Sequence, residues 1–386
     1  MTLQDTSART LLDSLLTECV SANGSDIHLA PEEKPYFRVH GILVHRPKFE
    51  VMTNGEIESL LPVLLSPERI AVLTKDGAVD GAMSASDGTR FRFNAYRRDR
   101  GVSIALRKLD DKFRPLTELG LPDSLYELGD LPDGLVLLAG PAGSGKTTTL
   151  ATLLDYVNRT RECHIITIED PIEYIHASQH ALVDQRQVGK DTPGFQEALV
   201  NSLRQDPDVI LVGEIREVRT IRTAITAAET GHLVFSTVHA GDCVGAIERL
   251  VSVFPSDEQP GVRRQLALNL RAIIAQHLIR ADGPAASGKG IKGAAKEGDK
   301  RPQRVLVSEI LRVTPAVANL IATEKSMQIY AMMESGAAHG MKTLEADLAR
   351  LWAFDLISEN TAVSLSKHPS IVRERHALIQ RQRQRV

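Results

Sequence analysis

Eight residues constrain this chain more than any others: Gly140-Pro141-Ala142-Gly143-Ser144-Gly145-Lys146-Thr147. They satisfy the spacing GxxxxGK(S/T). They also lie between an apolar run, 135–139, and a helix-compatible stretch, 148–157, which is the strand–loop–helix context the motif requires. Glycines let the backbone wrap an anion, so that several N–H groups and the positive end of the following helix face it. Lys146 supplies a point charge for β- and γ-phosphates, and Thr147 offers a hydroxyl to Mg²⁺. Gly140, Gly143, Ser144, Gly145 and Thr148 complete the expected nucleotide-binding set. ATP and Mg²⁺ are the expected ligands.

The alternation continues downstream. Apolar runs at 135–139, 164–168, 209–212 and 232–238 are separated by helical patterns, as expected of a buried, mostly parallel sheet. Between the last two, Ile221, Ala224, Ile225 and Ala228 recur at helical offsets and the pattern ends before Gly231, which predicts a helix with one apolar face. Ahead of the loop, residues 1–110 read as a smaller mixed unit. A helix carrying Leu11, Leu12, Leu15, Leu16 and Cys19 stops near Asn23-Gly24, and strands are expected at 26–29, 36–40, 90–96 and 102–107. Pro115, Pro122 and Pro132 mark 111–133 as a connector.

The expected fold class is therefore α/β: a domain at 1–110, the connector, and an ATPase core at 134–280. Residues 281–302 hold five glycines and almost no large apolar side chains, which reads as a flexible surface loop. The C-terminal region, 303–386, reads as a strand and helices, with helical patterns at 316–321 and 344–354. Five arginines from Arg373 onward read as a solvated helical tail.

Charge and composition exclude several partners. The formal net charge is −3 and aromatic residues make up 4%, so no basic groove with interleaved aromatics is available for nucleic acid. Cys19, Cys163 and Cys243 are scattered and form neither a disulfide framework nor a zinc site. The N-terminus is polar and acidic, and no apolar run reaches ~18 residues. A cytoplasmic protein is expected, with any membrane contact peripheral.

A phosphate loop works with acidic groups at the carboxyl ends of neighbouring strands. Val209-Ile-Leu-Val-Gly213-Glu214 ends in one such group, and the 165–173 stretch ends in three, Glu169, Asp170 and Glu173. At this point the chain resembles the motor ATPases of type II secretion and type IV pili. Thr167-Ile-Glu-Asp-Pro-Ile-Glu173 is similar to their "Asp box", and Asp206-Pro-Asp-Val-Ile-Leu-Val-Gly-Glu-Ile-Arg216 to their Walker B element. Ala227-Ala-Glu-Thr-Gly-His232-Leu-Val-Phe-Ser-Thr-Val-His239 resembles their "His box". Ser25-Asp-Ile-His-Leu29 resembles their SDxHL segment, and Arg90-Phe-Arg92-Phe-Asn94-Ala95-Tyr96 their RFRxNxF strand.

The resemblance implies a PAS-like α+β N-terminal domain, a RecA-like P-loop ATPase domain with a helical C-terminal region, and a homohexameric ring with ATP where domains meet. By matching, Glu173 would be the general base and Glu214, with Thr147, would organise Mg²⁺. His232 and His239 would sense or position the γ-phosphate, and Arg92 and Arg107, with Arg100 behind them, would present charge to the nucleotide. Arginine suits that role because it stays charged and spreads its donors over several oxygens. The two histidines, seven apart on a strand, point to opposite faces, so no zinc site is expected.

The short segment ahead of the loop, and the lack of a four-cysteine module, match the compact pilus-retraction branch of the family. Val251-Ser-Val-Phe-Pro-Ser-Asp-Glu-Gln259 is similar to the VDVFPxxEQ stretch of that branch. The expected activity is a hexameric ATP-driven motor for type IV pilus retraction and twitching motility. It would act from the cytoplasmic face of the inner membrane through a platform protein, and touch the membrane only through that partner.

There are departures. Where retraction motors typically carry AIRNLIRE, this chain reads Ala316-Val-Ala-Asn-Leu-Ile-Ala-Thr-Glu324; His239 is followed by Ala240-Gly241 where threonines are usual; and the 281–302 loop is extra. Two other readings stay open: a compact ATPase of a type IVB or type II-like secretion system, and a nucleotide-gated assembly module without turnover. The acidic residues Glu173 and Glu214 weigh against the second.

Overall fold

The computed structural model describes residues 3–39, 41–99, 101–109, 112–284 and 304–383. Arg100, most of the expected 281–302 loop and the last three residues of the tail lie outside that set. Two units are distinguished: one runs to Lys112 and includes the short segment Asp170–Ile175, and the other comprises Phe113–Glu169 and His176–Val386.

The first unit contains α1 (Leu3–Ser21), β1 (Gly24–Leu29), β2 (Tyr36–Val39), β3 (Ile42–His45), α2 (Asn54–Leu64), α3 (Pro67–Asp76), β4 (Ala78–Ser84), β5 (Arg90–Arg98) and β6 (Gly101–Lys108). Its six strands form one antiparallel sheet in the order β3-β2-β1-β6-β5-β4. Leu12, Leu15, Leu16 and Cys19 of α1 are fully buried. Strand residues alternate as a half-buried sheet demands. Phe93, Leu106, Ile27 and Phe37 are successive cross-strand partners and form a buried row. One residue along, Arg92, Arg107, Asp26 and Arg38 form the next row across the same four strands, so they share the opposite face. The helix α2 starts with a reciprocal Thr53/Glu56 capping box, a signal the sequence reading passed over.

The second unit contains β7 (Gly134–Ala139), α4 (Lys146–Thr160), β8 (His164–Glu169), β9 (Leu182–Gln187), α5 (Phe195–Ser202), β10 (Val209–Val212), α6 (Val218–Glu229), β11 (Leu233–Val238), α7 (Cys243–Ser252), α8 (Gln259–Asn269), β12 (Leu270–Arg280) and β13 (Arg304–Arg312), followed by short helices. Its sheet order is β13-β12-β7-β11-β10-β8-β9, with every neighbouring pair parallel except β12 and β13. Both faces are covered, so the strands read as continuous apolar runs. Leu135, Leu137 and Ala139 of β7 pack into one core with Ile221, Ala224, Ile225 and Ala228 of α6. Val136 and Leu138 pack into the other with Leu150, Leu153, Leu154 and Val157 of α4. Truncating any of these leucines to alanine is expected to cost about 2–5 kcal/mol.

The expected 111–133 connector is corrected over most of its length. Leu116, Leu121, Leu125 and Leu128 are buried in the core beneath α4, and the Tyr126 hydroxyl accepts a hydrogen bond from the Leu116 N–H at 3.2 Å. A 3₁₀ helix, Asp123–Leu128, starts right after Pro122, and burial ties the segment to the second unit. The expected helices at 316–321 and 344–354 are found as Pro315–Ala322 and Leu344–Ala353. Among the described residues, no helix is long and apolar enough to cross a membrane.

Candidate functional site: a phosphate loop and an arginine row

β7 is central in its sheet, and its end is flanked by β11 and β12. The loop that follows is built on left-handed glycines. Gly143 has φ 74° and Gly145, the N-cap of α4, has φ 93°, conformations a side chain would strain. Gly140 is required by space as well: a Cβ there would lie 2.4 Å from the Gln276 carbonyl oxygen and 2.5 Å from Ser144 Oγ. A fifteen-residue helix thus starts at Lys146, with its first N–H groups turned toward the loop.

Lys146 is buried, and its ammonium donates to the carbonyls of Gly140 at 3.0 Å and Pro141 at 2.8 Å. Burial pushes its pKa below the usual lysine value, and the Glu214 carboxylate partly offsets that push. Ser144 Oγ is buried with no hydrogen-bond partner among the described residues. Thr147 and Thr148, half-buried, are the second and third residues of α4.

Glu214 follows Gly213 at the end of β10, two strands from β7. Its carboxylate lies 2.8 Å from Arg216 and 3.6 Å from His239 Nε2. His239 sits just past the end of β11. Burial and the Lys146 charge lower its pKa, and Glu214 opposes them. Glu214, His239 and Lys146 are thus electrostatically linked at the carboxyl ends of adjacent strands, where ligands bind in open α/β sheets.

His232 is not brought to this cluster. It precedes β11, so the length of that strand, about 20 Å at ~3.3 Å per residue, separates it from His239. Its Nδ1 lies 2.9 Å from the Ala227 carbonyl. The motif holds two histidines, but a parallel strand places them at opposite ends.

The arginines lie in the first unit. Arg107 donates from Nε to Asp26 at 2.8 Å, and Arg38 lies 3.8 Å from the same carboxylate. Asp26 is buried, and although burial itself pushes its pKa up, hydrogen bonds from Arg107 and Ser25 outweigh that and lower it. Arg92 lies 3.6 Å from Asp80 and 3.9 Å from Glu173, and Glu173 belongs to the segment grouped with this unit. Two guanidinium groups, Arg107 and Arg38, thus flank the buried Asp26 carboxylate, while Arg92, next to Arg107 in the row, is paired with Asp80 and Glu173; like charges directly opposed across strands are destabilising unless neutralised.

Two residues escaped the sequence reading. Glu169 ends β8 almost fully buried, accepting from Thr167 Oγ1 at 2.7 Å and Gln185 Nε2 at 3.2 Å; it was visible only as one of three clustered carboxylates. Gln276 of β12 is fully buried beside the loop. Its signal was a polar residue inside the apolar run Ala272-Ile-Ile-Ala-Gln276.

A glycine-wrapped loop on a central parallel strand, a buried lysine and a carboxylate at a neighbouring strand end define a P-loop nucleoside triphosphatase. The chain belongs to the type II/IV secretion system protein family, whose profile matches residues 2–349. It is 39% identical over 358 residues to the type IV pilus retraction ATPase PilT of Pseudomonas aeruginosa, covering 93% of this chain and 98% of that protein. Identity to the twitching motility protein of Neisseria gonorrhoeae is 38% over 328 residues, covering 85% and 83% respectively. The crystal structure of the pilus retraction motor PilT with bound ADP aligns with a TM-score of 0.81 at 36% identity, covering 93% of this chain and 97% of that one.

Proposed function

We propose that this chain is the ATP-hydrolysing subunit of a motor that retracts type IV pili. The observation that carries the reading is the convergence of Lys146, Glu214 and His239 on one loop, in a chain that resembles a retraction ATPase over nearly its whole length.

ATP is the substrate. The loop N–H groups of 143–148 and the start of α4 cradle its β- and γ-phosphates, and the Lys146 ammonium exchanges the Gly140 and Pro141 carbonyls for phosphate oxygens. The unpartnered Ser144 hydroxyl supplies one more polar contact. Thr147 and Glu214 would hold Mg²⁺, directly or through water. One hydroxyl, one carboxylate and substrate oxygens suit an ion that keeps several waters, and no three-carboxylate or histidine cluster exists among the described residues. The ion supplies charge neutralisation on the triphosphate.

In the hydrolytic step Glu173 accepts a proton from water as its oxygen attacks the γ-phosphorus. The bond to the β-phosphate oxygen breaks, giving ADP and inorganic phosphate. We assign γ-phosphate positioning to His239 and not to His232. Arg92 and Arg107 stabilise the charge that develops on the transferred phosphoryl group. We read the first unit, to residue 110, as a PAS-like domain and 134–280 as a RecA-like core, the two working in a homohexamer whose subunits place the arginines at a nucleotide. The ring works from the cytoplasm at an inner-membrane platform protein.

Deleting the gene from a piliated host is expected to leave surface pili that no longer retract, and retraction returns with the wild-type gene but not with Lys146→Ala. Loss of all surface pili would overturn the reading. The altered segment Ala316–Glu324, lacking both arginines, favours a second reading as a compact secretion ATPase. Normal retraction with a secretion defect in the same deletion would establish that one.

A further inference from the structure

We propose that Gln276 is a positioning residue for the phosphate loop, acting through Thr149 on the first turn of α4. The inference rests on the nucleotide-site reading above and adds to it a residue that no motif of the loop contains.

β12 runs parallel to β7 with Ala275 opposite Ala139, which brings Gln276 beside Gly140 where strand becomes loop. Its neighbours Ile273, Ile274 and Ala275 are fully buried, and an amide among them is unfavourable unless its hydrogen bonds are made. One is made: Nε2 donates to Thr149 Oγ1 at 2.8 Å, joining residues 127 apart in sequence. Thr149 is itself buried, one helical turn beyond Lys146 and two residues beyond Thr147. Holding Thr149 therefore sets the rotation of the turn that carries both the phosphate lysine and the metal-side hydroxyl.

The other half of the amide is unfinished. Gln276 Oε1 is buried without a partner among the described residues, and so is Ser144 Oγ. Ser144 Oγ and the main-chain carbonyl oxygen of Gln276 both lie within 2.5 Å of the point where Gly140 would carry a Cβ, so both residues border the start of the loop. An amide kept only for stability would have both ends satisfied. The amide's one made bond is instead to Thr149, on the first turn of the loop's own helix. Gln276 touches no nucleotide atom and works by fixing what does.

The test uses the full chain and a fluorescent ribose-labelled ATP analogue with Mg²⁺, titrated against wild type, Gln276→Leu, Thr149→Val and the double variant, with melting temperature measured in parallel. Each single variant is expected to weaken binding about three- to tenfold, the range of one lost hydrogen bond. The double variant should be no weaker than the weaker single, and melting without nucleotide should be little changed. Wild-type affinity in both singles, additive losses, or a lower melting temperature with unchanged affinity would each overturn the inference. Should Gln276→Leu fail to fold, Thr149→Val reads the same bond, and wild-type affinity there overturns it. Lys146→Ala separates the two layers: binding that survives it sinks the nucleotide-site reading. Binding lost there but intact in the other variants sinks only the role of Gln276.

Discussion

At 140–147 an anion is met by the main chain: glycine conformations, helix N–H groups and one lysine. Across β5, β6, β1 and β2 it would be met by side chains, with Arg107 and Arg38 on the Asp26 carboxylate and Arg92 beside Asp80 and Glu173. The first device is local, assembled within eight residues, and its geometry follows from where glycine stands. The second is assembled from four strands spread between Gly24 and Lys108, and holds only while the register holds. Binding strength belongs with the local device. The arginine row, open to solvent, is held by ion pairs to Asp26, Asp80 and Glu173.

The largest effect should come from the loop. Lys146→Ala is expected to remove Mg²⁺-dependent hydrolysis to background, a loss of about 10³-fold or more by phosphate release; near-normal turnover would reverse the ranking of the two devices. Next comes Glu214→Gln, which should lower kcat by about 10²-fold while nucleotide affinity stays within a few-fold. Equal losses in kcat and affinity would instead mean that Glu214 supports the fold of the site.

The arginine row should respond less than the loop lysine, at about the level of Glu214. Arg107→Ala is expected to cost about 10²-fold in kcat with little change in nucleotide affinity. Asp26→Asn, which keeps the shape but weakens the grip on Arg107, should cost about tenfold. If Asp26→Asn proves worse than Arg107→Ala, the aspartate serves the sheet and not the arginine.

The last effect leaves turnover at working pH untouched and is one of stability under acid. His28 of the first unit is half-buried, which lowers its pKa, while His176 of the second is buried, which pushes its pKa down to about 4. Because the unfolded chain takes up a proton near 6.5 and the folded one does not until about 4, the stability tied to His176 is full above pH 6.5. It falls away as pH drops from 6.5 to 4, by roughly 3 kcal/mol in all. His176→Gln should flatten that part of the acid-unfolding profile, measured by denaturant melts across pH 4–7. An unchanged slope would place the acid sensitivity elsewhere.

Much of this was legible before any coordinates. The phosphate loop, the four strands leading into its sheet, the apolar stripe of α6 and the carboxylate at the end of β10 all follow from local rules. Glycine permits left-handed turns, fully buried strands read as apolar runs, and one-sided helices repeat every three to four residues.

Other features depended on which distant segments meet. The 111–133 stretch looked like a connector because of its prolines, yet burial of four leucines is a fact about its neighbours. The His box seemed to offer two histidines to one site, and a strand lying parallel in the sheet sent them to opposite ends. Strand order set Gln276 beside Gly140 and Arg107 between Arg92 and Asp26, and no local pattern encodes strand order. Residue type governs the backbone within a few positions, so the loop could be read directly. The company that loop keeps arises from long-range burial, and only the folded chain reveals it.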